Sequence, residues 1–489
     1  MGQHYKLFIG GEWKQGGEEF SAINPYTSKA WASVSQASEA DVGSAISAAR
    51  GRFESTWRKT SGRDRARLLM KLAELLERNG DRMATLESTD NGKVIRETRN
   101  QMSFSARQYE FFAGYADKLW GSVIPLDQRD VFDYATREPI GVAALITAWN
   151  SPMGLLSNKL APALAAGNTV VIKPSEHASA TTAELCRLAE EAGFPAGVIN
   201  LVMGDANVGR ALVSGDVDCV SFTGSPNAGR AIASMAGQRL IPVTMELGGK
   251  SPNIVFADAD LDKAVVGALA GIFAATGQTC IAGSRLLVQR PVYKEMVQRL
   301  ASRAEKIVLG NPLDRSTEMG TAANRPQLDK ILDFIKVAKN EGARLVTGGE
   351  RPTDKALRDG FFVKPTIFAD VDNRMTIAQE EVFGPVLSII PFDTEEEAVA
   401  IATDTRYGLA SGIWTQDISR AFRMSREMRA GTVWVNTYRV SACQAPFGGV
   451  KESGFGRERG EQALDAFTVC KNVMIDFSAE ERDPFSVRT

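Results

Sequence analysis

Apolar residues along this chain gather in two series of short runs separated by stretches of helical period. From Ile140 to Leu247 the runs are G-V-A-A-L-I-T-A-W, T-V-V-I-K, V-I-N-L-V-M-G, C-V-S-F-T-G and L-I-P-V-T-M-E. Near-continuous apolar strands alternating with helices predict a parallel sheet covered on both faces. A second series from Asn253 to Asn436 includes L-L-V-Q after Arg285, V-L-S-I-I-P-F after Pro385 and G-T-V-W-V-N before Thr437, and predicts a second α/β unit.

Upstream, Leu7 to Trp13 with Gly10-Gly11 reads as a hairpin, followed by an N-P-Y-T turn at Asn24. Ser38 caps a helix, and Arg63 to Asn79 forms another whose Leu68, Leu69, Leu72, Leu75 and Leu76 share one face, with Asn79-Gly80 ending it. A third helix runs from about Glu97 to Lys118. Extended segments between Trp120 and Glu138 lack a core of their own, and the strand-like tail Val469 to Phe477 is a candidate to join them. Such a ribbon is marginal alone, so it is expected to pack on another subunit.

Composition narrows the function classes. The 489 residues suffice for about three domains, and a net charge of -2 with scattered basic residues gives no reason to expect nucleic acid or a membrane as partner. The N-terminal M-G-Q-H-Y-K-L-F-I-G-G has no signal-peptide core, which points to the cytoplasm. The five cysteines show no C-x-x-C spacing and read as reduced thiols. With only His4 and His177, a His-rich metal site cannot be built, and acid-base work falls to carboxylates.

Five stretches can carry chemistry. The apolar run Val265 to Ala275 leads into Gly-Gln-Thr and presents Cys280 on a loop, as a candidate nucleophile or a small buried hydrophobe. In F-T-G-S-P-N-A-G-R a strand ends at Gly224-Ser225 and Pro226 starts a helix; its N-terminus suits a pyrophosphate, or is an ordinary tight turn. V-V-I-K-P-S-E places Lys173 and Glu176 at a strand end, where they could hold ribose hydroxyls or sit on a solvated loop. Glu246 in T-M-E-L-G-G-K-S-P is a sequestered carboxylate suited to take a proton, or a structural acid bonded to backbone. Asn150 in T-A-W-N-S-P is a candidate oxyanion donor or a turn former.

Taken together, W-N-S-P, K-P-S-E, F-T-G-S-P-N-A-G, M-E-L-G-G-K-S-P, G-Q-T-C-I-A-G-S-R, Q-E-E-V-F-G-P and P-F-G-G-V-K-E-S-G-F-G-R-E resemble the NAD(P)-dependent aldehyde dehydrogenases over nearly the whole chain. The resemblance implies an α/β fold with a variant Rossmann cofactor domain (1–118 and 139–247), a catalytic domain (248–468) and an oligomerisation ribbon with tail (119–138 and 469–489), in dimers or tetramers. It implies Cys280 as nucleophile, Glu246 as general base, Asn150 as oxyanion donor and Glu458 as a second acid in proton relay. For the cofactor, NAD with NADP as a possibility, it implies contacts from Trp149, Lys173, Ser175, Glu176, Gly224, Ser225, Gly229, Leu247, Glu381 and Phe383. The alternatives to oxidation by water are a CoA-acylating semialdehyde dehydrogenase and an inactive binding relative.

The substrate tunnel departs from the aromatic lining common in that family. Ser151, Ser441 and Asn158 stand at such positions, beside Phe104 and the retained Phe447. A more polar, more open tunnel is expected, for an aldehyde with a carboxylate or comparable group, with Arg439 or else Arg107 as its partner. The W-N-S-P variant and the tail E-R-D-P-F-S-V-R-T resemble family members of bacterial aromatic and N-heterocycle catabolism, including those acting on hydroxylactones.

Overall fold

The computed structural model describes residues 3–479 and Phe485. The first apolar series forms the centre of an eight-stranded sheet in the order Gly454–Phe455, Val243–Glu246, Cys219–Thr223, Val142–Ile146, Thr169–Lys173, Ile199–Leu201, Leu7–Ile9 and Glu12–Lys14. Its five central strands are parallel, with Val142 level with Thr169 and Thr223 level with Glu246. Every residue of Val142–Ile146, Thr169–Lys173 and Cys219–Thr223 is buried, so both faces are covered, as continuous apolar runs require. The Gly10-Gly11 hairpin closes one edge in antiparallel fashion.

The second series builds a seven-stranded sheet ordered Arg344–Thr347, Thr366–Ala369, Val386–Phe392, Arg285–Gln289, Pro252–Val255, Ala410–Trp414 and Thr432–Val435. Only the edge strand Arg344–Thr347 runs antiparallel. The tail does join the ribbon: Thr468–Asp476 pairs along its full length with Val131–Pro139, which pairs with Ser122–Ile124. Residues 480–484 and 486–489 of the tail lie outside the described residues. Between the two large sheets the chain crosses back: Gly454–Phe455 pairs with Met245–Glu246, and Ala463, Leu464 and Phe467 join the core of the first sheet.

Some local expectations needed correction. Ser38 does cap Glu39–Ser55 through a reciprocal box with Asp41, and Leu69, Leu72, Leu75 and Leu76 are buried on Gly62–Arg78. Asn79-Gly80, however, redirects the chain into another helix, Gly80–Asn91, which ends at left-handed Gly92. Asn79 serves both ends: its Nδ2 donates to the Leu75 carbonyl at 2.8 Å, and its Oδ1 accepts from Arg82 of the next helix at 3.3 Å. The following helix spans Ile95–Ala113 and stops at Gly114, short of Lys118. A further small sheet of Gln3–Tyr5, Lys29–Gln36 and Glu18–Asn24 was not anticipated. Among the described residues no helix is long and apolar enough to cross a membrane.

Candidate active site

The loop that carries Cys280 is held by features that the sequence placed in a turn without explaining. Helix Leu261–Phe273 stops, and Ala275, Thr276 and Gly277 follow in left-handed conformation at φ 53°, 56° and 68°. A side chain at Gly277 would lie 2.0 Å from the Gly384 carbonyl, so this sharp reversal needs glycine there. The Glu97 carboxylate accepts the Ala275 N–H at 2.9 Å. Gln278 is tied at both ends of its amide, donating to the Thr321 carbonyl at 3.1 Å and accepting from the Ala323 N–H at 2.9 Å. Two non-glycine residues at positive φ are a local strain that these bonds maintain.

Cys280 sits where two cavities meet. The smaller, about 160 Å³, is bordered by Trp149, Thr223, Gly224, Ser225, Leu247, Glu381 and Phe383. The larger, about 410 Å³, is bordered by Phe104, Ser151, Asn158, Arg439, Ser441, Phe447 and Arg459. Asn150, Leu155 and Cys280 border both. Strands ending at Ile146, Lys173, Thr223 and Glu246 are neighbours in the first sheet, so their side chains converge at its carboxyl edge, where open α/β sheets hold ligands.

On the smaller cavity, Ser225 caps helix Pro226–Gln238, its Oγ accepting the Ala228 N–H at 3.3 Å. Gly229 is a packing position, since a side chain there would meet Leu247 at 2.7 Å. The Glu381 carboxylate accepts the Gly249 N–H at 2.9 Å, and any side chain at Gly248 would strike it at 2.4 Å. Burial pushes Glu381 up to about 7. Trp149 meets Phe383 edge to face at 5.3 Å, and the Gln327 amide donates to the Val382 and Phe383 carbonyls. Lys173, Ser175 and Glu176 do not border either cavity that contains Cys280. Lys173 is buried 3.7 Å from the Glu176 carboxylate, which Ser175 also reaches at 3.4 Å.

Three carboxyl and thiol groups carry the electrostatics. Burial, then the nearby Glu246 and Glu381, pushes the Cys280 thiol up to about 12, while the Arg459 charge works in the opposite sense. Glu246 is 3% exposed and neither of its carboxylate oxygens has a hydrogen-bond partner. Burial and the charge of Glu458 hold its carboxyl well above the usual range. Glu458 is itself satisfied: Lys159, fully buried, donates to it and to Ser221 Oγ, and Asn158 Nδ2 donates to it at 3.2 Å. Asn150 Nδ2 spends one N–H on the Gln278 carbonyl at 3.0 Å and keeps the other.

In the larger cavity the serines and the asparagine are hydrogen-bonded to protein partners. Ser151 Oγ accepts from buried Lys93 at 2.7 Å, Ser441 Oγ accepts from Arg459, and Asn158 Oδ1 accepts from Gln108 at 2.7 Å and Arg459 at 3.1 Å. Arg439 is also engaged: its Nη1 donates to the Ala270 and Ala274 carbonyls at 3.2 and 3.1 Å, closing the C-terminus of the helix before Cys280. Arg107 pairs with Glu110 at 3.0 Å on the same helix and borders neither cavity. A second cation at the cavity, Arg459, lies over the rings of Phe104 and Phe447 at 4.9 and 4.7 Å.

Sequence reasoning missed Lys159, Gln278, Gln327 and Arg459. Lys159 had a signal, a lone cation inside the apolar helix Pro152–Ala166, which must find an acid when buried. Arg459, flanked by Glu458 and Gly460, had none.

The aldehyde dehydrogenase family model matches residues 13–473. Cytosolic aldehyde dehydrogenase 1 of Rattus norvegicus is 46% identical over 97% of this chain and 96% of its own length. The (Z)-2-((N-methylformamido)methylene)-5-hydroxybutyrolactone dehydrogenase of Acinetobacter baylyi is 44% identical over 99% of this chain and all 100% of its own. Betaine aldehyde dehydrogenase of Staphylococcus aureus, solved in complex with NAD+, superposes with a TM-score of 0.97 at 40% identity, covering 99% of this chain and 97% of that one. The chain therefore belongs to the aldehyde dehydrogenase family and is an aldehyde-oxidising oxidoreductase.

Proposed function

We propose that the chain oxidises a polar or carboxylated aldehyde to its acid with NAD, through a covalent intermediate on Cys280. The observation that carries this reading is the position of one thiol at the junction of two cavities, with a carboxylate and an amide donor at the same strand ends.

The residues around the smaller cavity suit the nicotinamide end of a dinucleotide that extends beyond it. Thr223 Oγ1, at its wall, is buried without a partner, and the Ser225–Pro226 helix start offers N–H groups and a positive dipole end to a pyrophosphate. Ser225, Glu381, Phe383, Trp149 and Leu247 would hold it there, with Lys173 and Glu176 taking ribose hydroxyls beyond. When bound, it supplies a hydride acceptor. The Glu176 carboxylate repels a 2′-phosphate, so NAD is favoured over NADP.

Cys280 passes its proton to solvent water and its Sγ bonds to the aldehyde carbon, while the carbonyl electron pair moves to oxygen. The unspent N–H of Asn150 and the backbone N–H of Cys280 hold that oxyanion. After oxidation a thioester remains. Glu246 takes a proton from water, whose oxygen adds to the acyl carbon; the C–S bond breaks and the acid leaves. Glu458, fixed by Lys159, sets the charge that keeps Glu246 able to hold the proton. His4 is occupied by Ser33 and Ser35 in the small sheet, and His177 borders neither cavity, so neither serves the thiol.

The test is NADH formation, followed by absorbance, over a panel of aliphatic, aromatic and carboxylated aldehydes with each cofactor. Turnover with NAD and a higher kcat/KM for polar members are expected. Turnover confined to NADP, or to apolar aldehydes, would overturn those parts of the reading.

We also propose a cytoplasmic homodimer or homotetramer built through the ribbon. All five cysteines are free, as a reducing compartment leaves them, and cell fractionation checks the location. The ribbon leaves Val123, Phe132, Met474 and Ile475 exposed on a sheet of three strands, an apolar edge that association would cover. Light scattering after size exclusion should give a multiple of the 52.9 kDa chain mass, and a monomer would remove this idea.

A further inference from the structure

We infer that Arg459 selects the substrate: its guanidinium receives the carboxylate, or an equivalent anionic oxygen pair, of the aldehyde lying in the larger cavity. The inference rests on the reading of that cavity as the aldehyde's route to Cys280.

Arg459 differs from the other cations near the thiol in lying over two aromatic rings of the cavity wall. Lys159 is spent on Glu458, Lys93 on Ser151 and Gln101, and Arg107 on Glu110, while Arg439 is tethered through Nη1 to the carbonyls that end a helix and touches neither ring. Among the described residues Arg459 forms no ion pair, and its neighbour Glu458 is already held by Lys159 and Asn158. Its guanidinium lies over the rings of Phe104 at 4.9 Å and Phe447 at 4.7 Å, and Nε to Asn158 and Nη1 to Ser441 fix its rotation. Those two bonds use two of its five N–H groups. The remaining N–H groups have no acceptor among the described residues.

Arg459 is half-buried at the wall of the larger cavity and keeps its charge there, so an anion that enters the cavity gains from it. A planar fork stacked on rings with donors unspent suits a carboxylate, which it grips through two parallel bonds. Ser441 and Asn158, two of the polar residues in place of an aromatic lining, then have a purpose. They orient Arg459 and leave the anion to come from the substrate.

The experiment compares an ω-carboxylated aldehyde with its methyl ester, of equal chain length, in the full-length enzyme and in the Arg459→Gln and Arg459→Lys variants. The readout is the ratio of kcat/KM for acid over ester, which cancels effects common to both. The native enzyme should favour the acid. Arg459→Gln should lower the ratio by about 30-fold or more, as for loss of one partner from a buried charge pair. Arg459→Lys keeps the charge without the fork and should fall between; it also keeps the test usable if the glutamine variant folds poorly.

An unchanged ratio in both variants, with the native enzyme still favouring the acid, would overturn the assignment of Arg459 and leave the carboxylated-substrate reading standing. No preference for acid in the native enzyme would overturn that reading itself. Equal losses on acid and ester, with the rate shifted to higher pH, would show that Arg459 instead favours the Cys280 thiolate, and would equally overturn the inference.

Discussion

Cys280→Ala is expected to lower aldehyde oxidation by at least ~10⁴-fold, because among the described residues Cys280 is the one thiol that borders either cavity, with Cys443 buried behind the larger one. Cys186 and Cys219 are buried in the first core, and Cys470 lies out on the ribbon. The substitution removes one sulfur from a half-buried loop whose conformation is fixed by other residues, Glu97 and Gln278, so the fold should be kept. Quenching of tryptophan fluorescence by NAD is therefore expected to survive while NADH formation is lost. Residual turnover within tenfold of the native enzyme would mean that the chemistry does not pass through this thiol.

Glu246→Gln should separate the two halves of the reaction. Its amide keeps the volume of the carboxyl but cannot accept a proton from water, so release of the acid is expected to slow by roughly 10²- to 10⁴-fold. Formation of the thioester does not need that proton acceptor. Rapid mixing should then show a burst of NADH near one equivalent per site, followed by a slow phase, with the acylated chain visible by mass spectrometry. The sign of the pH effect follows from the site. Burial, and secondarily Glu458, raise the Glu246 pKa, so the carboxylate that works as base becomes more abundant as pH rises. The slow phase of the native enzyme should accelerate with pH, and that of the variant should not. A variant with full steady-state rate and no burst would show that another group activates the water.

How far the sequence could be read depended on whether a residue's partner was local. The parallel strands were legible because each is a run of apolar residues with both faces buried, a pattern that needs no knowledge of neighbours. Cys280, Glu246 and Asn150 stood out as candidates because each follows an apolar strand or helix at a break, and the family resemblance supplied the roles expected of them. Gly80 misled, because Asn-Gly is a stop signal whether or not a second helix follows, and only contacts of Asn79 with both helices decide it.

Charges were the hardest to place. The sequence put Arg439 over the substrate route, and it does border the larger cavity, with its Nη1 drawn to the carbonyls of Ala270 and Ala274. Those orphan carbonyls at a helix end compete for any nearby guanidinium. Arg459 reaches the cavity only because Phe447 and Glu458 are bonded backbone to backbone, at 2.6 and 2.7 Å, a pairing between positions with no periodic relation in the chain.

The crossing of Gly454–Phe455 back to the edge of the first sheet has a practical meaning for anyone who wishes to retarget this enzyme. Glu246, Asn150 and Thr223 stand on strand ends of that sheet, whereas Arg439, Ser441, Phe447 and Arg459 ride on the connecting segments around the crossing. On the proposed reading, redrawing the aldehyde preference can be confined to those segments provided that Glu458, which lies among them beside Glu246, is kept. Gly454 is fixed as well, since a side chain on it would meet the Met245 carbonyl at 1.9 Å. A library that spares Gly454 and Glu458 and varies the rest of those segments therefore explores new substrates while leaving the proposed catalyst in place.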